Sequence, residues 1–271
     1  MLMKQIKINT NLITSFKQNG TCTLNVIENM DDLHEIEQGK LVGEGSNIII
    51  RNHQNLYKLS KTFSYVNIVD SLVIVGGSTK ISLINKILIK NGLSGLEFLG
   101  GVPASIGGCV RMNAGAFGKS ISDIFEYAIC YNHDKGIYTI HKDNAYFSYR
   151  NSNFKDNVIL EVGLRLKKSN YHDIITKLNE NTKIRLSKAP LLRTFGSVFK
   201  NPPNMVAGKL IEECYLKGKI IGDAMICKKH ANYIVNLNKA TADDVLYLID
   251  IIKNNVYKKF NVELEEEVVI L

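Results

Sequence analysis

The sequence predicts an α+β fold, and three observations support this class. Short runs of β-branched and aliphatic residues stand next to clusters of glycine in the first half of the chain. Residues 81–90 carry apolar side chains at the spacing of a helix with one buried face. Residues 158–166 alternate between apolar and polar side chains, as in a half-buried strand. The chain therefore combines both kinds of element, with many tight turns in its first half.

The order of elements follows from the same patterns. The first half is predicted to contain strands at residues 41–42, 48–50 and 72–75 and the helix over 81–90, which ends at Asn91 and Gly92. The second half is predicted to contain the strand over 158–166, a junction at 167–170, a helix from Tyr171, a short helix over 207–215, a helix that begins at the capping box of Thr241 and Asp244, and a strand over 262–271.

The composition excludes several classes of protein. Of the 271 residues, 45% are hydrophobic and 22% are charged, which is typical of a globular chain and not of a disordered or collagen-like one. No apolar run approaches the roughly 18 residues of a membrane span. The first residues do not resemble a secretory signal. The five cysteines and six histidines lack the spacing of disulfide frameworks or metal sites, so we predict free thiols and no bound metal.

The net charge of +8, from 34 basic and 26 acidic residues, is compatible with a nucleic acid, a membrane surface or an acidic small molecule as partner. A nucleic-acid-binding protein predicts clustered basic residues with interleaved aromatic residues, whereas the basic residues here are scattered, with isolated pairs at 167–168, 228–229 and 258–259. A nucleic-acid-binding protein is therefore disfavoured. We interpret the charge as a mild bias towards small anionic ligands.

Two glycine clusters are candidate binding segments. Residues 43–47 precede a predicted strand, where free backbone N–H groups can face an anion, and a simple hairpin turn is the alternative. A dinucleotide fingerprint is disfavoured, because no third glycine has the required offset and no helix follows. Residues 95–118 form the larger cluster, with small side chains between the glycines. This segment is either a tightly packed buried loop or a loop around an extended, phosphate-containing cofactor.

Six motifs in order along the chain carry a resemblance to a known family. They are residues 43–47, the stretch from 95–99 through Pro103 and 107–108 to 112–115, and residues 149–152, 196–202, 229–232 and 264–268. On these motifs the chain resembles the UDP-N-acetylenolpyruvoylglucosamine reductases, flavoenzymes of bacterial cell-wall precursor synthesis. The resemblance extends over residues 41–271.

The resemblance implies an FAD-binding region of the vanillyl-alcohol-oxidase-like (PCMH-type) fold, made of two subdomains, and a smaller α+β substrate domain. We place the FAD-binding region at residues 1–168, with subdomains of about 1–57 and 58–168, the substrate domain at 169–260, and at 261–271 a C-terminal strand that returns to the active site and the FAD region. The short interval from Arg150 to Ser197 resembles the compact subclass of the family.

The resemblance also implies the reaction. Family members reduce UDP-N-acetylglucosamine enolpyruvate to UDP-N-acetylmuramate for peptidoglycan synthesis, with FAD as cofactor and NADPH as electron donor. The implied partner is a small UDP-sugar, with no nucleic acid and no membrane. We expect a cytoplasmic enzyme, and we favour a monomer.

Three residues are implied to be catalytic. Negative charge develops on the substrate carboxylate during hydride addition, and Arg150 can hold it because a guanidinium grips a carboxylate with two hydrogen bonds. Ser197 is implied to be the acid that protonates the adjacent carbon. Glu267 is implied to orient and stabilise the intermediate, as the last residue of an acidic, variable, acidic pattern at 265–267. Runs of glutamate are otherwise typical of a solvated face.

Further site residues carry over by motif. The residues implied to bind FAD are Gly43, Glu44, Gly45, Ser46, Asn47, Gly101, Pro103, Ala104, Ser105, Gly107, Gly108, Asn113, Ala114 and Gly115. The residues implied to bind substrate are Tyr149, Lys200, Asn201, His230 and Asn232. Lys200 and Glu267 are also candidates to assist Ser197, and a satisfied structural histidine is the alternative for His230.

Five positions depart from the usual family pattern. Ala104, Phe195, Tyr215 and Asn261 stand where glycine is common, and Cys227 stands where serine is common. Asparagine tolerates a left-handed backbone, so Asn261 is a mild departure. Phe195 is the departure closest to Ser197 and is a candidate to reshape the pocket.

Another FAD-dependent oxidoreductase of the same superfold, such as a sugar or alcohol oxidase, is the alternative function. It would share the two glycine clusters. It would not require residues 196–202 or Glu267.

Overall fold

The computed structural model describes residues 3–36, 40–51, 55–190 and 193–271. The chain divides into two compact units. Unit 1 comprises Met1–Ile6, Leu24–Glu44 and Asn55–Arg185, and unit 2 comprises Lys7–Thr23, Gly45–Gln54 and Leu186–Leu271. The domain boundaries given above, at 1–168, 169–260 and 261–271, stay a prediction.

The described residues combine strands and helices, as the α+β class requires. The strands are β1 (Lys4–Asn9), β2 (Thr21–Ile27), β3 (Lys40–Leu41), β4 (Ile48–Ile49), β5 (Leu56–Leu59), β6 (Val66–Val69), β7 (Leu72–Gly76), β8 (Leu93–Ser94), β9 (Gly115–Ala116), β10 (Lys119–Ser120), β11 (Phe125–Asn132), β12 (Gly136–His141), β13 (Phe147–Ser148), β14 (Asn151–Ser152), β15 (Val158–Arg165), β16 (Lys167–Lys168), β17 (Ile220–Ile221), β18 (Ala224–Ile226), β19 (Ile234–Asn236) and β20 (Val269–Ile270). The helices are α1 (Ile81–Lys90), α2 (Ile106–Arg111), α3 (Tyr171–Lys188), α4 (Ala207–Glu213) and α5 (Ala242–Phe260).

The largest sheet of unit 1 is antiparallel, with the strand order β12-β11-β15-β7-β6. Its central strand, β15, was expected to be half-buried, and this expectation is wrong. Only Glu161 and Arg165 of its eight residues escape full burial. Val162 and Leu164 belong to one apolar cluster and Val158 and Leu160 to another, so both faces of the strand are covered.

A second sheet has the order β1-β2-β5-β3, in which β5 pairs in parallel with β2 and with β3. The predicted helix over 81–90 is confirmed as α1, which buries Ile81, Ile84 and Leu88 against the core of unit 1. Ser105 caps α2, because its Oγ accepts a hydrogen bond from the Gly108 N–H at 3.4 Å.

Unit 2 contains the sheet β17-β18-β19 and the helices α4 and α5. The predicted capping box of α5 is confirmed: Thr241 Oγ1 accepts from the Asp244 N–H at 3.2 Å, and Asp244 accepts from the Thr241 N–H at 2.9 Å. The helix ends at Asn261 in a left-handed conformation with φ of 54°. The apolar face of α5 completes the core of the unit.

The strand predicted over 262–271 is wrong for most of its length. Only Val269–Ile270 forms a ladder, as β20, which pairs in parallel with β4. Before β20 the segment is irregular apart from an isolated bridge between Glu266 and Phe199, and it buries Leu264 and Val268. The intervening glutamates take up solvent-facing or ion-paired positions, and Glu266 pairs with Lys253 at 2.8 Å.

Cys22, Cys109, Cys130, Cys214 and Cys227 are free thiols, and burial raises the pKa of Cys109 to about 12. A thiol with so high a pKa is a poor nucleophile. Over residues 3–36, 40–51, 55–190 and 193–271, no three His, Cys, Asp or Glu side chains group as metal ligands would. None of the helices in these ranges has the length and apolar character of a membrane span.

Candidate active site

A pocket in unit 1 forms where three glycine-containing segments approach one another. It encloses about 490 Å³, counting its opening to solvent, and residues 41–44, 77–78 and 105–108 form much of its wall. A Cβ on Gly43 would lie 2.8 Å from Ser105 Oγ, and a Cβ on Gly107 would lie 2.9 Å from the Gly77 carbonyl oxygen. Only glycine allows these segments to come so close, so the pocket depends on the glycine clusters.

Charged side chains surround this pocket. Glu44 pairs with Lys58 at 3.5 Å and with Lys80 at 2.8 Å. Arg111, at the end of α2, also contributes to the lining. Small side chains, close backbone and an excess of cations are the chemistry that a phosphate-containing ligand requires.

The structure gathers only part of the predicted cofactor set in this pocket. Gly43, Glu44, Ser105, Gly107 and Gly108 line it. The rest of the first motif, Gly45, Ser46 and Asn47, belongs to unit 2. Gly45 has a φ of 64°, and a Cβ there would lie 1.8 Å from the Ile13 carbonyl oxygen, so this turn requires glycine.

Other members of the predicted cofactor set lie elsewhere in unit 1. Gly101 lines a different cavity, of about 890 Å³, between α1 and α3. Ala104 accepts a hydrogen bond from the Ile81 N–H at 2.9 Å, which joins the loop that contains Pro103 to the start of α1. Ala114 accepts from the Ile121 N–H at 3.0 Å, and a Cβ on Gly115 would lie 2.6 Å from the Lys119 carbonyl oxygen. Their roles towards a cofactor stay predictions.

Arg150 occupies a two-residue turn between β13 and β14 in unit 1. Its φ is 55°, in the left-handed region that arginine rarely adopts. Its guanidinium lies over the ring of Tyr149, 5.1 Å from the ring centroid. Asn113 secures this hairpin, because its amide donates to the Ser148 carbonyl at 3.0 Å and its Oδ1 accepts from the Ser122 N–H at 3.1 Å. The buried amide of Asn113 holds this strained turn, and the turn fixes the backbone position of Arg150.

Next to Arg150, Asn151 has a buried side-chain oxygen with no hydrogen-bond partner among the described residues. A buried acceptor without a partner costs free energy. Such an atom is typical of a site that a donor from a ligand or from water completes.

Unit 2 brings Ser197, Asn232 and Glu267 into adjacent segments. The Val198 N–H donates to the Asn232 carbonyl at 2.9 Å, and the Glu267 N–H donates to the Val198 carbonyl at 2.8 Å. The carbonyl of Glu267 also accepts from the Asn47 amide at 2.9 Å. Both backbone groups of Glu267 are therefore held, and the segment that contains Ser197 lies between residues 230–233 and 265–267.

The polar side chains around Ser197 have defined partners. The Asn232 amide accepts from the Phe199 N–H at 2.9 Å and donates to the Phe199 carbonyl at 2.8 Å, so it clamps the backbone of the 196–202 motif. Lys200 pairs with Glu265, whose side chain is 73% exposed, rather than with Ser197. Asn201 accepts from the Ala207 N–H at 3.0 Å and so holds the first residue of α4.

The ring of His230 is half-buried and held by its neighbours. Burial, and then the positive charge of Lys217, lower its pKa. Its Nδ1 accepts a hydrogen bond from the Asn232 N–H at 3.2 Å, which leaves the ring proton on Nε2 in the neutral form. The ring meets Tyr233 edge to face, with centroids 4.8 Å apart. His230 therefore offers one donor, Nε2–H, from a fixed ring.

Phe195 packs in the core of unit 2, with its ring centroid 5.1 Å from that of Phe16. Its side chain therefore fills the core. The turn that follows is made by Gly196, with φ of 87°. Cys227 is buried.

Sequence reasoning missed nine lining residues of the unit 1 pocket: Leu41, Val42, Lys58, Leu59, Gly77, Ser78, Arg111, Asn157 and Ile159. For most of them no local signal exists, since they come from strands and loops far apart in the chain. Arg111 had one: it is the only charged residue between 104 and 116, in a segment otherwise rich in small residues.

Three comparisons with known proteins agree with one another. Residues 186–271 match the family described as UDP-N-acetylenolpyruvoylglucosamine reductase, C-terminal domain. UDP-N-acetylenolpyruvoylglucosamine reductases from Alkaliphilus oremlandii and Caldicellulosiruptor saccharolyticus are 36% and 37% identical, over 94% of this chain and 89% and 87% of those proteins. A crystal structure of UDP-N-acetylenolpyruvylglucosamine reductase from Thermus caldophilus has a TM-score of 0.88 at 31% identity, over 99% of both chains. This similarity confirms the predicted fold class.

Proposed function

Because this chain belongs to the UDP-N-acetylenolpyruvoylglucosamine reductase family, we propose that it reduces UDP-N-acetylglucosamine enolpyruvate to UDP-N-acetylmuramate, with FAD as its cofactor and NADPH as its electron donor. The protein is an oxidoreductase of peptidoglycan precursor synthesis. The observation that carries the proposal is the match to curated reductases over 94% of the chain, together with the family match over residues 186–271, which contain Ser197 and Glu267. A cytoplasmic location and a monomeric state stay predictions.

The residues of the unit 1 pocket fit FAD. Glycines at positions 43 and 107 leave room that a Cβ would fill, and Lys58 and Arg111 bring positive charge to the lining. Gly43, Glu44, Ser105, Gly107 and Gly108 would hold the cofactor there. When bound, FAD supplies the hydride that NADPH has delivered to it.

Arg150 would bind the carboxylate of the enolpyruvyl group. Hydride addition to the methylene carbon pushes negative charge onto this carboxylate, and a guanidinium that is already in place stabilises the charge without reorganisation. Support comes from the turn between β13 and β14, which fixes the arginine backbone, and from Tyr149, which the guanidinium covers at 5.1 Å. Tyr149 would orient the guanidinium and contact the substrate.

Ser197 would donate the proton that completes the reduction, from its hydroxyl to the carbon next to the carboxylate. No hydrogen bond from this hydroxyl to another described residue holds it in an unproductive direction. Because serine is a weak acid, the proton must move as charge builds on that carbon. Water or a neighbouring group then restores the serine proton.

Glu267 would orient the intermediate from the segment next to Ser197. Its N–H donates to the Val198 carbonyl at 2.8 Å, and its carbonyl accepts from the Asn47 amide at 2.9 Å. These two hydrogen bonds fix the backbone position from which the side chain extends. Lys200 and the Nε2–H of His230 would contact the UDP-sugar, whose diphosphate is anionic. Asn201 and Asn232 would act through the backbone that they hold.

The test measures NADPH oxidation by purified flavin-loaded protein with and without UDP-N-acetylglucosamine enolpyruvate. We expect oxidation that depends on this substrate and yields UDP-N-acetylmuramate, detected by mass spectrometry. Oxidation of sugars or alcohols with consumption of oxygen, in place of this product, would instead support another flavin oxidoreductase. A protein that takes up no FAD would contradict both functions.

A further inference from the structure

Arg111 places a positive charge in the wall of the unit 1 pocket. It is the last residue of α2, and its carbonyl accepts a hydrogen bond from Ser152 Oγ at 2.7 Å, which anchors its backbone. Its side chain is partly buried and lines the pocket with Gly43, Gly107 and Gly108. Arg111 is not among the residues that the family resemblance implies to bind FAD or substrate.

The guanidinium has no direct partner in the described parts of the chain. No carboxylate oxygen there lies within 4.0 Å of it, and it donates no hydrogen bond to another described residue. Burial lowers the pKa of Arg111, and the negative charge of Asp156 offsets only part of that effect. Lys58, the other cation of the wall, differs because Glu44 neutralises it at 3.5 Å.

An arginine that is removed from water without an ion pair is costly unless something else supplies the negative charge. Its planar fork of donors matches a phosphate, which it can bind with two hydrogen bonds. Glu44, the carboxylate in the lining, is already shared by Lys58 and Lys80, so it repels an incoming anion little. The pocket therefore presents to its occupant a cation that has no direct ion pair with another described residue.

We propose that Arg111 binds a phosphate group of the FAD held in the unit 1 pocket. This inference rests on the proposed function, since it takes FAD to be the occupant. NADPH is the other source of phosphate in the reaction, and the experiment separates the two.

The test is equilibrium binding of FAD to flavin-free protein, followed by flavin fluorescence, with ADP as a competitor. Arg111→Gln removes the charge and keeps a polar side chain of similar length. We expect it to weaken FAD and ADP binding by about 10- to 100-fold, the range for loss of a charged hydrogen-bonded contact. Binding of riboflavin, which has no phosphate, should not change. Added salt should weaken FAD binding less in the variant than in the unaltered protein.

Arg165→Gln is the matched control, because it removes an exposed arginine of unit 1 that pairs with Glu126. It should leave FAD binding unchanged. Arg111→Lys keeps the charge without the fork, and we expect a smaller loss of affinity. Thermal unfolding of the flavin-free proteins shows whether Arg111→Gln folds. If it does not, the FAD affinity of Arg111→Lys tests the proposal instead.

Equal FAD and ADP affinities for the unaltered protein and the Arg111 variants would overturn this inference and leave the proposed function intact. A higher KM for NADPH with unchanged FAD affinity would also overturn it, because the phosphate would then belong to the electron donor. Failure of the unaltered protein to bind FAD would overturn both.

Discussion

Arg150 occupies a backbone conformation that costs an arginine about 1 kcal/mol relative to the ordinary right-handed region. The hairpin tolerates this cost because Asn113 ties its strand to the neighbouring loop at 3.0 and 3.1 Å. An asparagine or glycine would fit the turn with less strain. A functional role of the guanidinium therefore explains an arginine at a φ of 55° better than the stability of the turn does.

Ser197 allows the sharpest test of the proposed chemistry at a single residue. Ser197→Ala should leave reduction of bound flavin by NADPH intact, because that step needs no proton from the serine. It should lower turnover of the enolpyruvyl substrate by about 100-fold or more, the usual contribution of a positioned acid. Stopped-flow absorbance separates the two steps. Ser197→Cys, which keeps a proton donor, should recover part of the turnover, and full turnover in the alanine variant would rule out Ser197 as the acid.

Tyr215 is another residue in a left-handed conformation, with a φ of 58°, and it is 90% exposed. Tyr215→Asn should raise the free energy of unfolding by up to about 1 kcal/mol, because asparagine tolerates this conformation. Urea denaturation measures the change. The opposite effect is expected at Asn261, which has a φ of 54°. Asn261→Ala should lower the free energy of unfolding by a similar amount. A loss of stability in Tyr215→Asn would show that contact with Lys259 outweighs the strain.

At the scale of elements, the central strand β15 carries a carboxylate shared by two phenols. Glu161 accepts from Tyr65 at 2.8 Å and from Tyr127 at 2.9 Å. Glycines make room for both rings, since a Cβ on Gly163 would lie 2.2 Å from Tyr127 Cε1 and one on Gly76 would lie 2.8 Å from Tyr65 Cε1. The glycines within β7 and β15 thus serve side-chain packing, as well as turns.

This network predicts a pH dependence of stability. Burial and the hydrogen bond to Glu161 raise the pKa of Tyr127 from 10.0 to about 12. The folded protein holds this proton more tightly than the unfolded chain, so the stabilisation is complete below pH 10.0 and is lost as the pH rises towards about 12. Tyr127→Phe should flatten part of this decline in urea denaturation across the alkaline range. Tyr146→Phe, which changes an exposed phenol of unit 1, should not, and equal slopes for both variants would contradict the assignment.

At the scale of the whole molecule, the net charge of +8 is spread over the surface, and only a few cations line the described site. Lys58 and Arg111 face the unit 1 pocket, and Lys200 and His230 lie in the segments around Ser197. FAD, NADPH and a UDP-sugar are all anionic. A positive field would favour their capture, while the local groups decide where each is held.

Cofactor binding should stabilise the whole protein. A ligand that binds only the folded state at about 100 times its Kd adds about 2.7 kcal/mol to the free energy of unfolding. We therefore expect a higher Tm when FAD is added to flavin-free protein, and a further rise as its concentration increases. Riboflavin, which lacks the phosphates, should have a smaller effect. A Tm that does not depend on FAD concentration would contradict a specific site.

Several local features could be predicted from residues near one another in the chain. Helix α1 and the capping box of α5 were predicted correctly, because side-chain periodicity and the spacing of Thr241 and Asp244 act within a few residues. The family was recognisable from six motifs in order, since chemistry at the site restricts which residues can stand there. The roles of individual site residues, including Arg150, Ser197 and Glu267, stay predictions.

Long-range contacts decided the rest. The burial of β15 on both faces depends on apolar clusters assembled from distant segments, and the short strand β20 depends on its pairing with β4. The pocket likewise needs residues 41–44, 77–78 and 105–111 close together, and Arg111 gains significance because the fold places its charge in that wall with no direct ion pair to another described residue. Local pattern determines which element forms, whereas burial and the pairing of charges depend on neighbours that only the folded chain brings together.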